Sequence, residues 1–225
     1  MPAAKATAMP ALADLRHWVF DLDGTLTEAV HDFALIRRAL EIPADADILG
    51  HLAALPADQA RQKHDWLMRH ERTLAEAATP APGAVALVRA LHGRGCRLGI
   101  LTRNARPLAT AALGAIGLAG VFDHTDIIGR DEATPKPAPD GLRYFADRWN
   151  VSPAQMVMVG DYRFDIECGR AAGTHTVLVG ETDEAWSAWA TWRLADCAAI
   201  LAEVDSAPAR GGAIVRDEPS AGRIA

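Results

Sequence analysis

The segment Trp18-Val19-Phe20-Asp21-Leu22-Asp23-Gly24-Thr25 joins three large apolar residues directly to a pair of aspartates. In extended backbone, residues two apart point to the same side, so the side chains of Asp21 and Asp23 are expected to converge just beyond the end of a strand. Two carboxylates held so close repel each other unless a cation lies between them or one of them is protonated. The segment therefore predicts a buried strand whose carboxyl end carries a candidate catalytic or cation-binding site.

Further apolar runs follow along the chain, and none of them alternates with polar residues. They are 98–101, 156–159 and 176–179, with a weaker run at 126–128. Helical patterns lie between them, over 83–92, 107–116, 139–149 and 167–172. Non-alternating apolar runs separated by helices are typical of a parallel sheet that is covered on both faces. The sequence thus predicts an α/β fold with a doubly wound, Rossmann-like parallel sheet.

One stretch, residues 28–81, interrupts this alternation. It contains three amphipathic helical patterns, over 33–41, 45–55 and 58–78, and each of them stops before a proline. We therefore predict a small α-helical subdomain over 28–81, inserted into a core domain formed by 1–27 and 82–205. Residues 206–225 mix proline, glycine and charge without a period, which predicts a flexible C-terminal tail.

The composition excludes several classes of protein. Lysine and arginine number 23 against 29 aspartates and glutamates, a net charge of −6, so the chain lacks the basic surface that nucleic-acid binding usually needs. Its three cysteines are scattered without metal-binding spacing, which suits a reducing compartment. No apolar run approaches the ~20 residues of a membrane span. We expect a soluble, cytoplasmic protein that binds neither nucleic acid nor membrane, and the oligomeric state is left open.

Polar residues follow the other predicted strands, at the edge where open α/β sheets bind ligands. Asp161 follows the run 156–159 after Gly160, and Asp165 lies one helical turn later. Oxygen ligands from two adjacent strand ends describe a Mg²⁺ site. Thr102 offers a hydroxyl after the run 98–101, and Asn104 lies near a helix start, where backbone N–H groups bind anions. Lys136, between two prolines, supplies a cation.

Each of these residues also has a purely structural explanation. An Asp-x-Asp pair is often a turn, Thr102 and Asp161 are acceptable helix caps, and Lys136 alone is typical of a surface loop. The coincidence of all of them at one sheet edge favours a catalytic site over these separate explanations.

The chain resembles the haloacid dehalogenase superfamily, in its phosphatase branch. Four segments carry the resemblance in the family's order, namely 21–27, 101–104, 136–139 and 160–165. The helical insert looks like the family's small cap, the type found in phosphoglycolate phosphatases and β-phosphoglucomutases, although it is somewhat shorter.

The resemblance implies a role for each motif residue. Asp21 would be the nucleophile that forms an aspartyl-phosphate, and Asp23 would be the general acid and base. Thr102 and Lys136 would hold the phosphoryl oxygens and offset their charge.

The resemblance also implies a bound Mg²⁺. Its ligands would be Asp21, the backbone carbonyl of Asp23 and Asp161, while Asp165 would be either a further ligand or a support for the others.

Arg103 departs from the family pattern, because many relatives have asparagine directly after the threonine, and here Asn104 comes one residue later. Both residues are substrate-binding candidates. Arg103 can grip a second anionic group of the substrate, or it can face solvent. The insert adds three more cations, Arg37, Arg38 and Arg61, which a solvated helix face explains equally well.

The leading hypothesis is a Mg²⁺-dependent phosphatase that hydrolyses a small phosphorylated metabolite, phosphoglycolate-like, through an aspartyl-phosphate. Two alternatives stay open. One is a phosphomutase, such as a β-phosphoglucomutase-like enzyme, and the other is a non-catalytic phosphate-binding module. Asp23 argues against the module, since binding alone does not require an acid/base residue.

Overall fold

The computed structural model describes residues 9–29 and 32–206, which form six β-strands and eight α-helices. The strands are β1 (His17–Phe20), β2 (Arg97–Leu101), β3 (Ile127–Ile128), β4 (Met156–Gly160), β5 (His175–Val179) and β6 (Trp192–Leu194). The helices are α1 (Phe33–Ala39), α2 (Ile48–Ala53), α3 (Ala57–Glu76), α4 (Ala84–Gly93), α5 (Arg106–Ala115), α6 (Asp140–Trp149), α7 (Arg163–Ala172) and α8 (Cys197–Ser206). Within the described residues, none of the helices has the length and apolar character needed to cross a membrane. Ser206, the first residue of the predicted tail, ends α8, and the rest of that tail, 207–225, lies outside the described residues.

All six strands run parallel in one sheet, in the order β3-β2-β1-β4-β5-β6. The predicted doubly wound sheet is therefore confirmed. The chain leaves β1 for β2 on one side and returns to β4 on the other. Phe20, the last residue of β1, pairs with Ile100 of β2 and Val159 of β4. The carboxyl ends of these three strands consequently lie side by side, at the switch point where such sheets bind ligands.

The central strand β1 is buried on both faces of the sheet. Trp18 and Phe20 point to one face, where they join a core with residues from α4, α5 and α8. Val19 points to the other face and joins residues from α6 and α7. None of the three side chains is exposed to solvent. This double burial explains why the run is apolar without alternation.

Helices α1 to α3 follow β1 and form a unit with an apolar cluster of its own. This cluster is built from Ile36, Leu40, Ile42, Leu52 and Leu67. The chain enters and leaves the unit at one place, where the Glu28 N–H donates to the Thr79 carbonyl at 3.0 Å. Thr27 and Pro80 pair there as an antiparallel bridge. The division of the chain into a core domain and a cap over 28–81 stays a prediction.

Some elements differ from the predicted ones. α7 begins at Arg163, four residues before the predicted start, because Asp165 accepts a hydrogen bond from the Tyr162 N–H and caps this end. α2 is shorter than the pattern over 45–55, since the Asp47 side chain caps it and the helix ends before Ala54. Strand β6 has no counterpart among the predicted strands, because its three residues include the exposed Arg193 and form no apolar run.

Candidate active site

Three predicted site residues lie at neighbouring strand ends. Asp21 directly follows β1, and its N–H donates to the Val159 carbonyl at 2.8 Å, so its backbone is still fixed by the sheet. Thr102 follows β2 in the same way, with its N–H on the Ile128 carbonyl at 3.0 Å. Asp161 follows β4. The sheet therefore holds these three side chains at one edge.

A cluster of three carboxylates lies at this edge. Asp21, Asp161 and Asp165 each offer an oxygen atom, and these atoms all lie within 4.8 Å of one another. Burial raises the pKa of Asp161 to about 6, and the negative charge of Asp21 adds to the shift. Carboxylates that are brought this close are stabilised by a cation, and their oxygens are the donors that a hard divalent ion prefers. The cluster can therefore hold a divalent metal ion.

The turn after β1 is built against Asp161. Gly24 adopts the left-handed conformation, with φ +83°, and a Cβ at this position would lie 2.3 Å from Asp161 Oδ2. The Thr25 hydroxyl donates to Asp161 Oδ1 at 3.1 Å. The sequence Gly24-Thr25 thus lets the turn approach the second aspartate closely and fix its carboxylate.

Lys136 is a buried cation between two of the carboxylates. Its Nζ lies 2.6 Å from Asp21 Oδ1 and 2.6 Å from Asp165 Oδ1. Burial alone would lower the pKa of Lys136, but the charges of Asp165 and Asp21 outweigh burial and raise it above its usual value. The second oxygen of Asp165 accepts the Tyr162 N–H at 3.0 Å. Asp165 therefore anchors both Lys136 and the start of α7.

Asp23 lies beside Asp21 in different surroundings. Asn104 Nδ2 donates to Asp23 Oδ2 at 2.6 Å, and the Thr27 hydroxyl donates to Asp23 Oδ1 at 3.4 Å. Burial raises the pKa of Asp23 to about 7, and the charge of Asp21 adds to this, against the opposing effects of Lys136 and Thr27. A carboxyl group with a pKa near neutrality can both give and take a proton.

Thr102 and Arg103 make different contacts although they are adjacent. The Thr102 hydroxyl oxygen accepts the Asn104 N–H at 3.1 Å, which leaves its own O–H as a donor. The Arg103 guanidinium ion-pairs with Asp47, the N-cap of α2. It also donates to the Lys136 carbonyl at 2.8 Å and lies 4.8 Å from the centre of the Phe164 ring. The charge of Arg103 is therefore already paired by the helical insert.

A cavity of about 510 Å³ lies between the sheet edge and helices α1 to α3. Its volume falls in the range of small-molecule sites. Six of the eight predicted site residues line it, namely Asp21, Asp23, Thr102, Arg103, Asn104 and Asp161. Lys136 and Asp165 are buried and contact the site through each other and through Asp21. All eight predicted residues are thus brought to one place.

Two further residues of this cavity form an ion pair that was not predicted. Glu71 of α3 and Arg130, which follows β3, form a bidentate ion pair with both N···O distances at 3.0 Å. Their side chains are only 8% and 7% exposed. Arg130 could have been predicted from its position just after the weak apolar run 126–128, because that run ends at the same edge of the sheet. Glu71 carried no signal, since it lies among other charged residues of α3.

Known proteins of one family resemble this chain in sequence. Residues 15–173 match the family model of haloacid dehalogenase-like hydrolases. A haloacid dehalogenase-like hydrolase domain-containing protein of Arabidopsis thaliana is 31% identical over 180 residues, which cover 75% of this chain and 72% of that protein. The phosphoglycolate phosphatase of Escherichia coli strain K12 is 31% identical over 210 residues, which cover 75% of this chain and 82% of that enzyme.

A solved structure supports the fold. A hydrolase from Pseudomonas syringae superposes with a TM-score of 0.71 at 22% identity, over 85% of this chain and 98% of that one. The resemblance carried by the four motifs is therefore confirmed. With a family model that spans most of its length and phosphatase relatives at this level of identity, the chain belongs to the haloacid dehalogenase-like hydrolases and is a phosphatase-like member of that family.

Proposed function

We propose that the protein is a Mg²⁺-dependent phosphomonoester hydrolase that acts on a small phosphorylated metabolite through an aspartyl-phosphate on Asp21. The observation that carries the proposal is the different setting of two neighbouring carboxyl groups. Asp21 lies against Lys136 at 2.6 Å and belongs to the carboxylate cluster. Asp23 lines the same cavity, and its pKa is raised to about 7 by burial and by the charge of Asp21. Such a pair supplies a nucleophile and a proton donor side by side.

In the first step, an Asp21 carboxylate oxygen attacks the phosphorus atom, and the ester P–O bond breaks. The electron pair of that bond leaves with the alcohol oxygen, which takes the proton of Asp23. Lys136 keeps Asp21 in place, and the Thr102 O–H donates to a phosphoryl oxygen. The hydrogen bond from Asn104 Nδ2 to Asp23, at 2.6 Å, keeps the acid oriented toward the leaving group.

In the second step, water attacks the phosphorus atom of the aspartyl-phosphate. Asp23, now a carboxylate, takes a proton from that water, and the P–O bond to Asp21 breaks. Phosphate leaves, and Asp21 and Asp23 return to their starting protonation states. The same residue therefore serves as acid and then as base, as microscopic reversibility allows.

The carboxylate cluster fits a Mg²⁺ ion in the number and hardness of its oxygen donors. We assign the ion to Asp21, Asp161 and the backbone carbonyl of Asp23. Asp165 supports these ligands, because its two oxygens already accept from Lys136 and from the Tyr162 N–H. When bound, Mg²⁺ offsets the negative charge on the phosphoryl group and on Asp21.

The test is phosphate release from phosphoglycolate and a panel of other small phosphate esters, with Mg²⁺ or with a chelator. Phosphoglycolate comes first because relatives at 31% identity carry that activity in their names. We expect release that requires Mg²⁺, is abolished in Asp21→Asn, and falls by roughly 10²- to 10⁴-fold in Asp23→Asn. Asp58→Asn, an exposed carboxylate of α3, is the matched control and keeps full activity.

Equal phosphate release by wild type and Asp21→Asn would overturn the proposed mechanism. Conversion of one sugar phosphate isomer into another, without release of phosphate, would instead identify a phosphomutase. Tight binding of phosphate esters without any turnover would identify a binding module.

A further inference from the structure

Three arginines line the cavity, and they differ in whether their charge is paired. Arg103 ion-pairs with Asp47, and Arg130 forms its bidentate pair with Glu71. Both partners come from the helical insert. These two guanidinium groups therefore meet a substrate as neutralised pairs.

Arg37 of α1 is the third arginine, and it has no carboxylate partner among residues 9–29 and 32–206. Its Nε donates to the Ala46 carbonyl at 3.2 Å, which fixes the guanidinium plane. The two terminal nitrogens on the other edge of the group are left as donors. This edge has the fork geometry that binds a carboxylate or a phosphoryl group with two parallel hydrogen bonds.

The structure also separates Arg37 from the other cations of the insert. Arg37 is half-buried and lines the cavity, whereas Arg38 and Arg61 are exposed and lie outside its lining. A partly desolvated cation without a counterion is costly, while an exposed one is not. A solvated helix face thus explains Arg38 and Arg61 but does not explain Arg37.

We propose that Arg37 binds a second anionic group, a carboxylate or a second phosphoryl group, on the alcohol part of the substrate. The inference rests on the proposed function, which gives the reacting phosphoryl group to Asp21. Asp21 and Arg37 line one cavity from opposite units, the sheet edge and α1. We expect a small molecule with an anion at each end to place one anion at Asp21 and the other on the α1 side of the cavity, at Arg37. This assigns to Arg37 the role that the sequence suggested for Arg103.

The experiment compares three substrates that differ only in the group opposite the phosphate. These are phosphoglycolate, with a carboxylate; 2-hydroxyethyl phosphate, with a neutral hydroxymethyl group; and the bisphosphate of ethane-1,2-diol. Wild type, Arg37→Gln and Arg38→Gln are assayed with Mg²⁺. Arg38→Gln is the matched control, because it removes the same charge from the adjacent position of the same helix.

We expect wild type to prefer an anionic substrate over 2-hydroxyethyl phosphate. Arg37→Gln lowers kcat/KM for the preferred anionic substrate by about 10- to 100-fold, mainly through KM, because a charge-assisted pair is lost. It leaves 2-hydroxyethyl phosphate unchanged, and Arg38→Gln leaves all three unchanged. Whichever of phosphoglycolate and the bisphosphate loses more kcat/KM in Arg37→Gln shows whether Arg37 binds a carboxylate or a phosphoryl group. An equal loss on the neutral substrate, or no loss on either anionic one, would overturn the proposal.

A binding measurement separates this inference from the proposed function. Phosphoglycolate is titrated calorimetrically into wild type and Arg37→Gln with a chelator in place of Mg²⁺, so that hydrolysis does not consume it. If wild type hydrolyses none of the esters, the phosphatase proposal fails, yet binding that weakens in Arg37→Gln still supports the role of Arg37. Absence of binding to wild type, or equal binding to both proteins, counts against that role.

Discussion

Asp21 and Asp23 carry the same side chain two positions apart, and their surroundings give them different chemistry. Asp21 is held by the Lys136 ammonium, whereas Asp23 accepts hydrogen bonds from Asn104 and Thr27. Burial and the charge of Asp21 keep the pKa of Asp23 near neutrality. Neighbouring carboxyl groups in such different environments can divide the roles of nucleophile and proton donor between them.

Gly24→Ala is expected to damage the site and the stability together. The φ of +83° at this position strains any residue with a Cβ, and that Cβ would lie 2.3 Å from Asp161 Oδ2. We expect a loss of more than about 1 kcal/mol in the free energy of unfolding, measured in urea, with loss of phosphatase activity.

Gly93→Ala is the matched control for this change. Nothing lies within 4 Å of a Cβ at Gly93, the last residue of α4. It should leave activity intact and stabilise the protein by up to about 1 kcal/mol. If Gly24→Ala behaved as Gly93→Ala does, the close packing of the turn on Asp161 would not matter.

Mg²⁺ is expected to raise the thermal unfolding temperature of the wild-type protein. An ion that binds the folded state at about 100 times its Kd stabilises that state by about 2.7 kcal/mol. Asp161→Asn removes one of the clustered carboxylates, so its unfolding temperature should no longer respond to Mg²⁺. Asp58→Asn should respond as wild type does, and a wild-type protein indifferent to Mg²⁺ would contradict the assigned metal site.

Among the strands, an unbroken run of apolar residues made prediction possible. β1, β2, β4 and β5 were predicted because each is a four- or five-residue apolar strand between loops. β6 was not, because its three residues include Arg193 and lie at the sheet margin. The early start of α7 depends on the hydrogen bond between Asp165 and the Tyr162 N–H, which no apolar pattern reports.

The ion pair between Glu71 of α3 and Arg130 is expected to matter for stability because it is buried. Arg130→Met leaves the Glu71 carboxylate, itself only 8% exposed, without its counterion. Such a change costs about 3–5 kcal/mol in the free energy of unfolding. The double variant Glu71→Leu/Arg130→Met removes both charges and should be clearly more stable than Arg130→Met alone.

Arg143→Met serves as the control for that pair. Arg143 and Asp140 form an exposed ion pair along α6, at 3.9 Å, and its loss should cost no more than about 1 kcal/mol. Chemical denaturation of all four proteins makes the comparison. Equal losses for Arg130→Met and Arg143→Met would mean that the Glu71–Arg130 pair is not desolvated.

His17, the first residue of β1, predicts a pH dependence of stability. Burial lowers the pKa of His17 below its ordinary value of 6.5. The unfolded chain therefore takes up a proton at His17 before the folded protein does, so stability falls as the pH drops below about 6.5. His17→Gln should make the decline in urea midpoint between pH 7 and pH 5 shallower, and the exposed His92→Gln should not. Parallel curves for wild type and His17→Gln would contradict this assignment.

Across the whole molecule, the site residues were predictable from the sequence, but the distant residues that contact them were not. Asp21, Thr102 and Asp161 could be placed because each directly follows a strand of one parallel sheet. The contacts of Asn104 with Asp23, of Arg103 with Asp47, and of Arg130 with Glu71 join residues 81, 56 and 59 positions apart. No local sequence pattern determines which distant side chains form ion pairs. The ion pairs of Arg103 and Arg130 could therefore be identified only from the three-dimensional structure.

The helical insert is expected to be removable without loss of the core fold. Glu28 and Thr79 are hydrogen-bonded at 3.0 Å where the chain enters and leaves it, next to the antiparallel bridge of Thr27 and Pro80. A two-residue Asn-Gly turn matches that geometry and can replace residues 29–78. We expect cooperative thermal unfolding by circular dichroism, at a lower temperature, because α3 no longer covers α5. A chain without any cooperative transition would show that core and insert fold only together.

That single crossing point also bears on how such a protein changes over generations. The residues assigned to bond breaking lie at the carboxyl ends of the strands. Arg37, Asp47 and Glu71 line the cavity from the helical insert, which the chain enters and leaves at one place. None of the described strands lies in that segment, so the strand pairings do not involve its residues directly. We therefore expect divergence of this segment after gene duplication to change the part of the cavity lining that α1 to α3 supply, while the residues assigned to bond breaking stay the same.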